Sequence, residues 1–209
     1  MNEFFIARHG QSEWNVEHRI QGQTNTKLSP LGLQQSQDLG QALLDQPLTD
    51  IYTSCLDRTI QTAQPLADQL KLPIQSSILL NELDFGGLVG KVWTELDQKD
   101  QETWDWWMDD QVRRVIPGGE SYQDLLERIE TFLTQLPQTK KKRSFLIVGH
   151  LRVNQVLLGC LTGLTLTESI FIRQPNNWLY HIQNGSQIKG GEIPSRPDGK
   201  IHWQLGLLI

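Results

Sequence analysis

Apolar and polar positions along the chain change in short blocks, and each block predicts an element. Glu3 to Ala7 (EFFIA) is an apolar run ending in Arg8-His9-Gly10, the pattern of a buried strand that enters a tight turn. After a polar loop, Ser29-Pro30 supplies an N-cap and a proline at the first helical position, which predicts a helix to about Leu44. Asp50 to Ser54 (DIYTS) reads as a second short strand. Asp57 to Leu70 reads as a helix that Pro65 must kink or interrupt, because proline has no N–H to donate. The clearest helix is Ser121 to Leu136. There Tyr122, Leu125, Leu126, Ile129, Phe132, Leu133 and Leu136 recur at helical spacing behind a Ser121/Asp124 capping box. Ser144 to Val148 (SFLIV) is a further buried strand ending at Gly149-His150, and Leu151 to Leu161 is an apolar helix. Asn184-Gly185, between two short apolar runs, predicts a hairpin.

Short apolar strands alternating with helices predict an α/β fold with a mostly parallel central sheet. No repeat or low-complexity linker divides the 209 residues, a length that suits one compact domain, 1–209. The stretch from Leu79 to Asp110 fits this rhythm least. Asn81-Glu82 falls on a strand end or loop, and Phe85-Gly86-Gly87 turns away from it. Trp93, Trp104, Trp106 and Trp107 then crowd a helical or irregular excursion. Tryptophans at this density either enclose a substrate or glue a small subdomain to the body.

Composition narrows the function. A net charge of -5 argues against a general nucleic-acid binder, which needs a strongly basic face. It leaves room for a small anionic substrate in a locally positive pocket. The basic run Lys140 to Arg143 reads as a solvated turn. Two cysteines, Cys55 and Cys160, with no C-x-x-C pair, predict neither a disulfide framework nor a thiolate metal site. The N-terminal segment has no basic leader followed by a long apolar run, and no stretch reaches membrane-spanning length. A cytoplasmic protein without membrane contact is expected.

Ligands of such sheets bind beyond the carboxyl ends of the strands. Arg8 and His9 follow the first strand, Arg58 follows the second within a few residues, and His150 follows SFLIV. Two arginines and two histidines should therefore converge. The arginine fork matches phosphate oxygens and keeps its charge, and free N–H groups of the helix beginning at Leu151 add a further anion-binding device. The remaining histidines, His18, His181 and His202, read as surface or satisfied core residues. Asp97, Asp109 and Asp110 look like a solvated acidic face, so no metal site is expected.

The ordered set Arg8-His9-Gly10-Gln11-Ser12-Glu13-Trp14-Asn15, Arg19-Ile20-Gln21-Gly22, Leu28-Ser29-Pro30-Leu31-Gly32, Thr53 to Ala63, Leu80-Asn81-Glu82, Pro117 to Ser121 and Gly149-His150 resembles the signature of the histidine phosphatase superfamily, the phosphoglycerate mutase-like proteins. It spans residues 1 to about 165. The resemblance implies a three-layer α/β/α sandwich with a small helical cap inserted at about 83–116. It implies that His9 is the nucleophile that forms a phosphohistidine, and that Glu82 is the general acid and base. Arg8, Arg58 and His150 would hold the phosphoryl oxygens. Asn15, Gln21, Gly22 and the backbone at Leu151 would contact substrate. No cofactor or metal is implied, since the arginines take the part a divalent cation has elsewhere. The partner would be a small phosphorylated metabolite.

One departure is Leu151, where the family has glycine; this resembles the branch of metal-independent phosphoserine phosphatases. Residues Leu83 to Met108 carry only Lys91 and Lys99 as cations, fewer than a mutase needs to hold a bisphosphorylated intermediate. The expectation is a phosphatase, with phosphoserine among its candidate substrates. A phosphoglycerate mutase and an inactive phosphoester-binding protein are the alternatives. The apolar tail 190–209 suits either packing on the body or the contact of a homodimer.

Overall fold

The computed structural model describes residues 2–139, 141–183, 187–195 and 201–208. Among them a single sheet holds β1 (Glu3–Arg8), β2 (Asp50–Thr53), β3 (Ile74–Ser76), β4 (Ser144–Gly149), β5 (Trp178–Gln183), β6 (Gln187–Glu192) and β7 (Gln204–Leu205). Their spatial order is β3-β2-β4-β1-β5-β6-β7. The first four are mutually parallel, and β5, β6 and β7 extend the sheet antiparallel from β1. The helices are α1 (Glu13–Val16), α2 (Pro30–Leu43), α3 (Asp57–Leu70), α4 (Gln98–Asp109), α5 (Tyr122–Gln135), α6 (Leu151–Thr162) and α7 (Leu166–Ser169).

The central strands are apolar on both faces because helices cover both. Phe5 and Ala7 of β1 join Ile51, Leu146 and Val148 in a core closed by Leu39, Leu43, Ala63 and Leu66 of α2 and α3. The alternate residues Ile6, Tyr52, Phe145 and Ile147 face Leu125, Ile129, Phe132, Val153 and Leu157 of α5 and α6. This is the three-layer α/β/α arrangement. Each fully buried side chain of this kind contributes roughly 1.5–3 kcal/mol of burial free energy. The caps follow the sequence reading: Ser29 accepts from the Gly32 N–H ahead of Pro30, and Ser121 and Asp124 form a reciprocal box.

The helix read over Asp57 to Leu70 is present as α3, and of the two effects expected of Pro65 the interruption does not occur. A proline there removes the N–H that would bond the Gln61 carbonyl. The Ser36 hydroxyl of α2 meets that carbonyl at 2.8 Å and the Thr62 carbonyl at 3.0 Å. Two strands escaped the sequence reading, the three-residue β3 and the two-residue β7. The Asn184-Gly185 turn lies outside the described residues, while the flanking β5 and β6 pair antiparallel out to Gln183 and Gln187. The described part of the tail packs on the body. Ile201 and Trp203 join one core, Leu207 and Leu208 the other, and the Leu208 carbonyl accepts from the Arg173 N–H at 2.6 Å. No helix among the described residues is long and apolar enough to cross a membrane.

Candidate active site

The register of the parallel strands assembles the site. Arg8 pairs with Gly149 across β1 and β4, so the residues that follow, His9 and His150, leave the sheet side by side. The His9 N–H donates to the Gly149 carbonyl at 3.0 Å, and the two imidazole centroids are 5.1 Å apart. Gly10 must be glycine here: a Cβ would lie 2.6 Å from the Gly32 carbonyl oxygen. Its N–H donates to the Thr62 hydroxyl, which in turn donates to the Arg58 carbonyl at 2.6 Å, so the turn after β1 is fastened to α3.

A cavity of about 420 Å³ opens over these strand ends. Arg8, His9, Asn15, Gln21, Gly22, Arg58, Glu82 and Leu151 all line it, which unites most of the residues named from the sequence. His150 stands behind this lining and is fully buried. Its Nε2 meets the Ser54 hydroxyl at 2.9 Å, while its Nδ1 is buried without a partner. The Nε groups of Arg8 and Arg58 are likewise buried and unpartnered. Buried donors seldom stay unpaired, and three of them at one place form a set suited to an anion.

Electrostatics favour a neutral, correctly oriented His9. Its Nδ1 lies 2.7 Å from the Gly10 carbonyl oxygen, which can only accept, so Nδ1 carries the proton and Nε2 the lone pair. Burial, then Arg58 and Arg8, hold its pKa well below the ordinary 6.5, against a smaller upward pull from that hydrogen bond. His150 is pushed the same way, by burial first and by Arg58, His9, Arg8 and Arg128 after it. Burial lowers Arg58 to about 10, which leaves it charged at neutral pH, and Glu82 works in the opposite direction. The Arg58 guanidinium donates to the Thr24 and Gly22 carbonyls at 2.7 and 2.9 Å and so shapes the loop that carries Gly22, at φ +48°.

The amides are also oriented. Asn15 Oδ1 accepts from the Ser12 N–H at 3.0 Å, and Gln21 Oε1 accepts from the Ser12 and Thr26 hydroxyls at 2.9 and 2.8 Å. With both oxygens engaged, both NH₂ groups remain as donors for the cavity. Glu82 is buried, with Oε1 accepting from the Leu83 N–H at 2.9 Å. Among the described residues, no group of three or more His, Cys, Asp or Glu side chains gathers as a metal site.

Other residues of the site had no assigned role in the sequence, although its dense tryptophans allowed either an enclosed substrate or a glued subdomain. Trp14, His18, Trp93, Phe85 and Trp104 form an aromatic wall, with His18 set edge-on to Trp93 at 5.8 Å between centroids. His18 is exposed, as a surface reading has it, and it also lines the cavity from a left-handed backbone at φ 56°. Ser54 holds His150. Asn154, Gln174 and Asn176 donate to the Ala7, Ile6 and His9 carbonyls at 2.9, 2.8 and 2.6 Å. The signal for Asn154 was available, since it is a polar residue inside the apolar run of α6. Arg152 also lines the cavity.

The model described as the histidine phosphatase superfamily (branch 1) matches residues 4–187. A protein of Salmonella typhi named "Probable phosphoglycerate mutase GpmB" is 33% identical over 173 residues, covering 79% of this chain and 75% of that protein. The protein of the same name from Proteus mirabilis is 31% identical over 166 residues, with the same coverage. The crystal structure of the alpha-ribazole phosphatase from Shigella flexneri is similar at TM-score 0.79 and 26% identity, covering 88% of this chain and 92% of that one. A mycobacterial glucosyl-3-phosphoglycerate phosphatase shares the fold at TM-score 0.77 and 24% identity, covering 99% and 97%.

Proposed function

The chain belongs to the histidine phosphatase superfamily, and we propose that it hydrolyses small phosphomonoesters through a phosphohistidine on His9. One observation carries the reading: the Gly10 carbonyl holds the proton on His9 Nδ1, so a bare Nε2 is available beside Arg8 and Arg58. Nε2 attacks phosphorus and the P–O bond to the alcohol breaks, while Glu82 gives its proton to the departing oxygen. Glu82 then takes a proton from water. The water oxygen attacks phosphorus, the P–N bond breaks, and phosphate leaves with His9 restored. Arg8, Arg58 and the unpartnered nitrogen of His150 bind the phosphoryl oxygens through both steps. Positioned charge supplies most of the acceleration, as phosphoryl transfer asks little else of a protein. The arginines do the work of a divalent cation, so no metal is needed.

Residues 83–116 act as the cap of a single 1–209 domain. Trp104 reaches the cavity from α4, and Trp107 fastens that helix by stacking on Tyr122 at 6.4 Å between centroids. Leu151 narrows the mouth, which favours a small alcohol, phosphoserine among the candidates. The free thiols Cys55 and Cys160 suit a reducing compartment such as the cytoplasm.

The names of the Salmonella and Proteus relatives favour a second reading, a phosphoglycerate mutase. Phosphate release from phosphoserine, 3-phosphoglycerate, sugar phosphates, alpha-ribazole phosphate and a nitrophenyl ester, measured in EDTA, separates the two. Release in EDTA that is lost in His9→Ala is the expected result. Isomerisation of phosphoglycerate without phosphate release, or full turnover by His9→Ala, would overturn it.

A further inference from the structure

Arg152 occupies an unfavourable position for a cation, and no anionic side chain among the described residues offsets its charge. It stands in the first turn of α6, where the helix dipole presents its positive end and favours anions. Among the described residues no carboxylate lies within ion-pair reach of it. Its polar neighbours are neutral, Gln155 at 3.4 Å and the Tyr122 hydroxyl, and its guanidinium lies 5.5 Å over the Trp107 ring. The other cavity arginines have strong local partners. Arg19 pairs with Glu17 at 2.5 Å, Arg58 clamps two carbonyls, and Arg8 donates to the Gln174 carbonyl at 3.1 Å. Burial lowers the pKa of Arg8, Glu82 works against that, and the nearby Arg152 adds to the lowering.

The charge balance of the cavity gives Arg152 a partner. Arg8 and Arg58 match a phosphomonoester dianion, and Glu82 must bring a proton if it is to donate one. A third guanidinium is then left over on the wall of the cavity, at its border with a neighbouring groove that Arg8, Leu151 and Arg152 also line. We infer that Arg152 determines specificity by binding a carboxylate on the alcohol portion of the substrate, so that the preferred substrates are phosphomonoesters of hydroxy acids. A carboxylate fits the planar guanidinium with two parallel hydrogen bonds, and Trp107 holds that plane from behind. The inference rests on the phosphatase reading for its substrate, but its test does not need turnover.

The test is calorimetric binding of 3-phosphonopropionate and propylphosphonate, neither of which can be hydrolysed. The wild-type protein should bind the carboxylated compound about 10-fold to 100-fold more tightly, the range for a charge-assisted hydrogen bond. Arg152→Gln should bring that ratio close to one, and Arg152→Lys should restore part of it. The kcat/KM ratio of phosphoserine over phosphoethanolamine should fall in parallel. A wild-type preference under about 2-fold, a preference that survives Arg152→Gln, or no binding of either phosphonate would overturn the inference. Preference without any phosphate release would sustain it while removing the phosphatase reading.

Discussion

Removing one hydroxyl tests how His150 is held. Ser54 Oγ sits at 2.9 Å from His150 Nε2 and 2.8 Å from Thr59 Oγ1, and it accepts from the Leu56 N–H at 3.1 Å. Ser54→Ala takes the partner from two buried groups at once. His150, whose Nδ1 is already unpartnered, would have neither ring nitrogen bonded, and the Leu56 N–H at the start of α3 would lose its acceptor. Each buried polar group left unsatisfied costs about 1–3 kcal/mol, so a loss of about 2–4 kcal/mol in unfolding free energy is expected after partial relaxation. The effect on activity should exceed a general loosening. An imidazole without its tether no longer aims its second nitrogen, and a supporting contact of this kind is worth about 10-fold to 100-fold in kcat/KM. Urea unfolding gives the first quantity and phosphate release the second. Thr59→Ala is the control, since Thr59 reaches His150 only through Ser54. If Ser54→Ala stayed within about 0.5 kcal/mol and 3-fold of wild type, or if both variants lost activity equally, the reasoning about His150 would fail.

Three other outcomes are expected. Glu82→Gln should lose about 100-fold to 10,000-fold in turnover of alkyl esters and far less on a nitrophenyl ester, whose leaving group needs no proton; equal losses on both would remove the acid role. Stability should depend on pH through His9 and His150, which stay neutral when folded because their pKa values are held well below 6.5. Above pH 6.5 they are neutral in both states and contribute no slope. Below it the unfolded chain binds protons that the folded one refuses, so stability falls as pH falls, by at most about 1.4 kcal/mol per unit for each histidine and about 2.8 for the pair; equal urea midpoints at pH 7.5 and 5.5 would contradict this. Finally, Ser36→Ala should cost about 1–2 kcal/mol in the presence of Pro65 and clearly less in a Pro65→Ala background, where a restored N–H takes over the Gln61 carbonyl; simple additivity in that cycle would refute the repair.

What could be read in the sequence was what repeats or clusters. After their polar first residues, Glu3 and Ser144, EFFIA and SFLIV are apolar at every position because both faces of β1 and β4 are covered, and such a run has few alternatives in a chain this polar. The helix caps were legible because Ser29-Pro30 and Ser121/Asp124 act locally. Arg8, His9 and Arg58 meet in one cavity because each follows a strand whose end the pattern had fixed, whereas Glu82, from the stretch the pattern left open, was named only through the family resemblance. The β3 strand was not legible: three residues at the sheet edge, two of them exposed, leave no periodic trace. How α3 accommodates Pro65 was not legible, because the compensating hydroxyl lies 29 positions earlier, on another helix. Arg152 escaped for a related reason. An arginine in the first turn of a helix looks like a solvated group until the cavity beside it is seen.

The central place of β1 has a consequence for how the protein becomes active. Glu3 pairs with Ser144 on one side and with Gln183 on the other, so the strand that carries His9 is synthesised well before either of the strands that flank it. Contacts so distant in sequence form late and slowly. A nascent chain ending before β4 would expose both edges of β1, and one ending before β5 would still leave an edge open. His9 would leave the ribosome before β4 and β5 and acquire its geometry only after both have followed. The order of the elements along the chain thus leaves the cavity around His9 incomplete until β4 brings His150 beside it.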